Sequence, residues 1–372
     1  MNLKEVVQRY LEAKKQAPSA NWMALLIFVA LFLLAWTVFA VVWVLATRVP
    51  ERPVEADAPQ IVTSTPVIVS SQRLLDGVSV GSENLTAEPI VAVMIDMHRD
   101  AHPVSGVDRA PLVYEVPVEG GINRLVALFT AHDAVEEAGP VRSARPYFVD
   151  IAGEYGALYM HVGGSPEAVK QLRRRDDVYN FDQWYHSQFY WLDRRRAAPH
   201  HVYTSSSRWL AAVEERAVAS STFGMWRYDA SEPPAGGGWQ PAPEIAIVSV
   251  NNRSSVWRWD GAAFVRLSGD KPYRTRNGGA IAVNTIIVQQ VAQRVLDAEG
   301  RLALDTDGEG FAWVFRDGAF IRGFWKYSRK EHRTRWYDDS GEEIALKPGR
   351  LWVHLAPLGV EPRVVLPAAP QR

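Results

Sequence analysis

The chain has 372 residues, 47% hydrophobic and 22% charged, enough for one large or two ordinary domains with a proper core. Its net charge of −1 supplies no bulk field that would demand nucleic acid or an acidic surface. Cysteine is absent, which excludes disulfides, thiolate metal sites, a cysteine nucleophile and lipid attachment through cysteine.

Residues 1–21 are polar, and Lys4, Arg9, Lys14 and Lys15 make them basic. Trp22 to Ala46 then runs for 25 residues without a charge, long enough to span a bilayer, with Trp22 and Trp43 near its ends. The run is too long and too aromatic for a cleaved signal peptide. We therefore expect a single-pass cell-membrane anchor, its N-terminus cytoplasmic and the bulk of the chain extracytoplasmic. Residues 47–85, rich in Pro, Ser, Thr and acids, read as an extended linker.

A mixed α/β domain is expected over 86–230. Ile90 to Asp96 is an apolar run ending in an acid, as a buried strand does, and Leu112–Val118 and Arg124–Thr130 read as two more strands. The stretch GPVRSARPYFVDIAGEYGALYMHVGGS, from Gly139 to Ser165, organises the rest. Ser143 is its candidate N-cap, Phe148, Ile151, Ala152 and Tyr155 fall on one helical face, and Gly156 closes the helix. Ala157–Val162 follows as a strand stopped by Gly163-Gly164, and Ser165-Pro166 opens a second helix. Val178–His201, aromatic and basic without a clear period, reads as a long ordered loop, and Ser206–Ala217 as a helix.

SEPPAGGGWQPAP, residues 231–243, marks an inter-domain linker. Beyond it, short strands separated by Asp-Gly and Ser-Gly turns predict a mainly antiparallel β domain over 244–360, then a tail, 361–372. The fold class is thus α+β: membrane-anchored, a mixed α/β domain followed by a mainly β domain.

VAVMID, Tyr114-Glu115 with Val118-Glu119-Gly120-Gly121, the long central motif, APHHVYTSS, DGAFIRGFWK and LKPGRLWVHLAP together resemble the bacterial YerB-like (DUF3048) family of unknown function. The resemblance covers roughly Ile90 to Pro357. It implies a two-domain extracytoplasmic protein and brings no established activity or catalytic residue. Members are often lipoproteins; without cysteine this chain would rely on its apolar span instead.

The strongest candidate site is Arg142, Ser143 and Arg145, where two guanidinium groups beside a helix N-terminus would suit a phosphate or carboxylate. The competing reading pairs these arginines with Glu115, Glu119 or Asp150. Glu115 and Glu119, four apart on one strand, would face one side and could share acid–base work. His161 ends the central strand before Gly163 and Gly164, a position where α/β proteins place ligands. His98 with His102, and His200 with His201, show no recognisable ligand spacing, so no metal is expected. Nucleotide loops are absent, no cofactor is expected, and nucleic acid is not an expected partner.

The sequence therefore favours a non-catalytic envelope module that binds an anionic ligand or a protein partner at an arginine-lined cleft. An envelope hydrolase or transferase acting on a glycan or phosphodiester, with Glu115, Glu119 and His161 as acid–base groups, is the second reading. A structural scaffold, with its arginines neutralised internally, is the third.

Overall fold

The computed structural model describes residues 71–81 and 87–366, apart from 219, 222, 235 and 249–253, together with residues 33–34, 36–38 and 40. The expected tail 1–21, most of the span 22–46, most of the linker 47–85 and the end of the chain lie outside the described residues. Within the span, Leu33, Leu34 and Trp36 are helical and exposed. Among the described residues no helix is long and apolar enough to cross a membrane. Val67–Arg372 forms one compact unit.

That unit is α+β and mostly β. In chain order its principal elements begin with β1 (Ile90–Asp96), β2 (Leu112–Val118), β3 (Ile122–Thr130), α1 (Pro146–Glu154), β4 (Leu158–His161), α2 (Pro166–Leu172), β5 (Tyr179–Asp182) and α3 (Ser206–Glu215). They continue with β6 (Glu244–Val248), β7 (Ser254–Trp259), β8 (Phe264–Ser268), β9 (Thr285–Val291), β10 (Glu309–Arg316), β11 (Ala319–Ser328), β12 (Arg333–Tyr337), β13 (Leu351–Pro357) and β14 (Arg363–Val365).

One large sheet runs β11-β10-β9-β13-β2-β3-β1-β4-β5. The strands expected on either side of 231–243 share it, because β13 lies parallel to β2, with Leu351 opposite Leu112 and His354 opposite Glu115. β6, β7, β8 and β14 form a second, antiparallel sheet. β1 is buried at every position because it sits between β3 and β4, which explains its unbroken apolar run. β1, β4 and β5 are mutually parallel, so Asp96, His161 and Asp182 end three strands on one side of the sheet.

The first helix starts later than Ser143. Arg145 is its N-cap in extended conformation and Pro146 its first residue. The preceding residues are held as strand instead: Ala144 bridges Gly164, and Val162 N–H donates to Arg142 O at 3.1 Å. Gly164 permits this approach, since a Cβ there would stand 3.2 Å from that of Ala144. Gly156, at φ +56°, turns the chain out of α1 as expected. Ser165 caps α2, its Oγ accepting from Ala168 N–H at 3.2 Å. The loop expected over 178–201 contains β5, a 3-10 turn at Ser187–Phe189 and a two-residue strand at Trp191–Leu192.

Candidate functional site

The mouth of α1 gathers three arginines and two acids. Arg124 stands opposite Asp96 across the β1–β3 ladder. Its side chain is nearly inaccessible, and its Nη1 donates to Ser143 O at 2.8 Å. Glu119 Oε1 lies 3.8 Å from Arg124 Nη2. Arg145 forks onto Glu119, with Nε donating to Oε2 at 3.0 Å and Nη2 to Oε1, while its Nη1 donates to Ala144 O at 2.7 Å. Arg142 Nε sits 3.0 Å from Asp96 Oδ2, and its side chain retains 24% exposure.

The electrostatics follow from this crowding. Burial, then repulsion from Arg145, brings the Arg124 pKa down to about 10, against the pull of Glu119. Burial alone would raise the Glu119 carboxyl. The hydrogen bonds and charge of Arg145, helped by Arg124, hold it below the usual range. Glu119 is therefore an ionised acceptor and not a proton donor at neutral pH.

Arg142, Ser143, Arg145, Glu119, Gly163 and Gly164 thus occupy one neighbourhood. His161 lies behind it, fully buried, with Nδ1 2.8 Å from Gly163 O and Nε2 2.7 Å from Asn180 Oδ1. Gly163 N–H donates to Asp182 Oδ1 at 2.8 Å, which ties the glycine turn to the end of β5. Trp184 and Tyr185, 72% and 75% exposed, project from the next turn, with the Trp184 indole against Gly163.

Glu115 is elsewhere. Glu119 lies beyond the end of β2, in a 3-10 turn over Glu119–Gly121, so the two acids do not share a strand face. Glu115 is buried between the two halves of the chain. Arg266 grips it with Nη1 at 2.8 Å and Nη2 at 3.2 Å. Asn123 Nδ2 (2.8 Å), Trp352 Nε1 (2.9 Å) and Ser255 Oγ (3.0 Å) also donate to it. Burial would raise this carboxyl, but the charge of Arg266, with the hydrogen bonds of Arg266 and Asn123, pushes it far below the ordinary range. The Arg266 guanidinium lies 5.5 Å from the Trp257 ring and 5.0 Å from that of Trp352.

Sequence reasoning missed Arg124 and Asp96, and it weighed His200 only beside His201. Arg124 sits among apolar strand residues, and a charge there signals a buried partner. Asp96 Oδ2 takes both Arg142 and His200 Nδ1, the latter at 2.6 Å. A separate cavity of about 830 Å³ opens beside the C-terminal end of α1, where Arg175 holds Asp150 and Asp177.

A strand-built α+β unit with a charged cluster at one helix mouth and a buried polar knot joining its halves matches one family over most of its length. The N-terminal domain of DUF3048, described as a protein of unknown function, matches residues 75–219, and its C-terminal domain matches 245–353. The chain belongs to this family. It is 27% identical over 279 residues to YerB of Bacillus subtilis, provisionally described as a lipoprotein, covering 74% of this chain and 83% of YerB. The crystal structure of YerB shares the fold, with a TM-score of 0.69 at 24% identity, over 80% of this chain and 100% of that one.

Proposed function

We propose that this protein is an extracytoplasmic envelope module that binds an anion, a phosphate or carboxylate group of an envelope ligand or protein, at the mouth of α1. The observation that carries the reading is the imbalance of charge. Among the described residues, Arg124, Arg142 and Arg145 lie within ion-pair distance of two carboxylates, Asp96 and Glu119, and Asp96 is also engaged by His200. Guanidinium forks beside a helix N-terminus are suited to oxyanions. The likeness to a lipoprotein supports an envelope setting, and the apolar stretch 22–46 would supply the membrane attachment that a lipid supplies elsewhere.

A hydrolase is less well supported: Glu115 is enclosed and ionised, Glu119 is paired, and His161 faces no solvent. The scaffold reading has two observations in its favour, the fork of Arg145 on Glu119 and the pairing of Arg142 with Asp96.

Thermal denaturation of the full-length protein with phosphate, acetate and anionic wall-polymer fragments separates the two. A ligand that binds only the native state raises the melting temperature. Anion binding predicts a rise in wild type, no rise in Arg142→Ala/Arg145→Ala, and a larger rise in Glu119→Gln, which frees Arg145. The scaffold reading predicts no ligand response in any of the three and a lower melting temperature for both variants.

A further inference from the structure

The fold brings together residues that lie about a hundred positions apart in the chain. His98, Asp100 and His200 each offer a metal-ligand atom, and those atoms lie within 4.8 Å of one another. We propose that His98, Asp100 and His200 form a binding site for a borderline divalent metal ion such as Zn²⁺, with Asp96 as the group that orients His200.

Three independent observations carry this. First, Asp96, 1% exposed, stands 2.6 Å from His200 Nδ1 and accepts from His98 N–H at 2.9 Å. A carboxylate on one imidazole nitrogen fixes the tautomer with its proton there and leaves Nε2 with a free lone pair, the arrangement found behind metal-ligating histidines. Second, His98 Nδ1 and Asp100 Oδ2 are 3.5 Å apart. Two ligands each about 2.1 Å from a tetrahedral ion lie about 3.4 Å apart, so this pair already has the spacing of one edge of a tetrahedron. Third, the two segments are tied to each other by a residue that takes no part in ligation. Arg196 donates to Ala101 O at 2.7 Å and to Pro103 O at 2.9 Å, fixing the turn that carries His98 and Asp100 to the loop that carries His200.

Metal binding asks the His98 ring to turn, because an imidazole holds an ion in its own plane and the two rings are nearly parallel. The His98 and His200 rings are stacked with centroids 5.0 Å apart and 12° between planes. His98 Nδ1 now accepts a weak bond from Asp100 N–H at 3.3 Å, which the ion would replace. Arg142, Arg99 and Arg124 are the neighbouring cations; Asp96 faces Arg142 at 3.0 Å and stands opposite Arg124, and Asp100 faces Arg99 at 3.3 Å. Imidazole and carboxylate donors without thiolate select Zn²⁺ and its neighbours over Ca²⁺ or Mg²⁺. Three protein ligands on an exposed rim leave a fourth position open to water or an anion. The site stands whether or not the arginines at the mouth of α1 take an anion.

The test uses the full-length chain without a polyhistidine tag, stripped of metal and titrated with Co²⁺, then with Zn²⁺ in competition. The expected result is visible absorption of low-symmetry Co²⁺ saturating at one ion per chain and displaced by Zn²⁺. His98→Ala/His200→Ala abolishes it, and Asp96→Asn weakens binding by about 10- to 100-fold, as loss of an orienting partner does. His132→Ala, at a surface histidine paired with Glu88, leaves it unchanged. Asp100→Ala, at an exposed position, guards against a double variant that fails to fold and weakens binding at least about tenfold. Absence of stoichiometric Co²⁺ and Zn²⁺ binding in wild type overturns the proposal. Equal affinity in wild type and Asp100→Ala overturns it too.

Discussion

Replacing Glu115 by alanine should destabilise the whole unit, because that carboxylate is the one acceptor shared by four donor side chains from both halves of the chain. Arg266 would lose a two-pronged partner at 2.8 and 3.2 Å while remaining 7% exposed. Breaking a buried ion pair on one side costs about 3–5 kcal/mol, since an uncompensated charge stays inside. Arg266 keeps its 2.9 Å bond to Ser255 Oγ and its two tryptophan faces, which draws the figure toward the lower end. The stranded Trp352 N–H draws it back up by about 1 kcal/mol or more. About 4 kcal/mol is therefore expected, against the roughly 5–15 kcal/mol that a native domain holds in total. Urea denaturation followed by tryptophan fluorescence measures it, as a midpoint lowered by more than about 1 M. Glu115→Leu/Arg266→Met removes both charges and should recover most of the loss. A single variant shifted by less than about 1 kcal/mol, or a double variant no better than the single, would refute the view that this knot joins the halves electrostatically.

Two other outcomes can be checked with the same denaturation assay. Burial lowers His354 to about 4 despite the neighbouring Glu115, below the ordinary 6.5. The unfolded chain then binds the extra proton first, so stability falls as pH drops from about 6.5 to about 4, by about 3 kcal/mol. His354→Gln should flatten that part of the profile relative to wild type; parallel profiles would count against a neutral His354. Arg333, fully buried, is enclosed by the rings of Trp226 (3.8 Å), Tyr155 (4.6 Å) and Phe223 (5.0 Å), with Glu154 Oε2 3.8 Å from Nη1. Burial already raises the Glu154 carboxyl, and Arg333 restrains that rise. Arg333→Met fills the cage without the restraint, so Glu154 titrates higher still and the variant loses less stability than wild type as pH falls from 7 toward 5. An unchanged pH profile in Arg333→Met would show that Glu154 does not sense the guanidinium.

Local chemistry determined much of this protein by itself. The apolar run Ile90–Asp96 could only be a strand buried on both faces, and Ser165-Pro166 could hardly begin anything but a helix. The Asp317-Gly318 turn likewise fixed the hairpin of β10 and β11. These signals lie within a few residues of one another, so they survive without knowledge of the rest of the chain. Tertiary structure decided the pairings. Arg145 and Glu119, Glu115 and Arg266, and Asp96 with His200 are separated by 26, 151 and 104 positions, and no local period records which acid a given arginine will meet. The start of α1 moved for the same reason: Ser143 is a good cap locally, but strand-like pairing with Val162 and Gly164 held residues 142–144 extended. Glu115 and Glu119 parted because β2 ends at Val118, where the chain turns back to form β3. Sequence spacing fixes a face only while the element lasts, and where an element ends is settled by what packs against it.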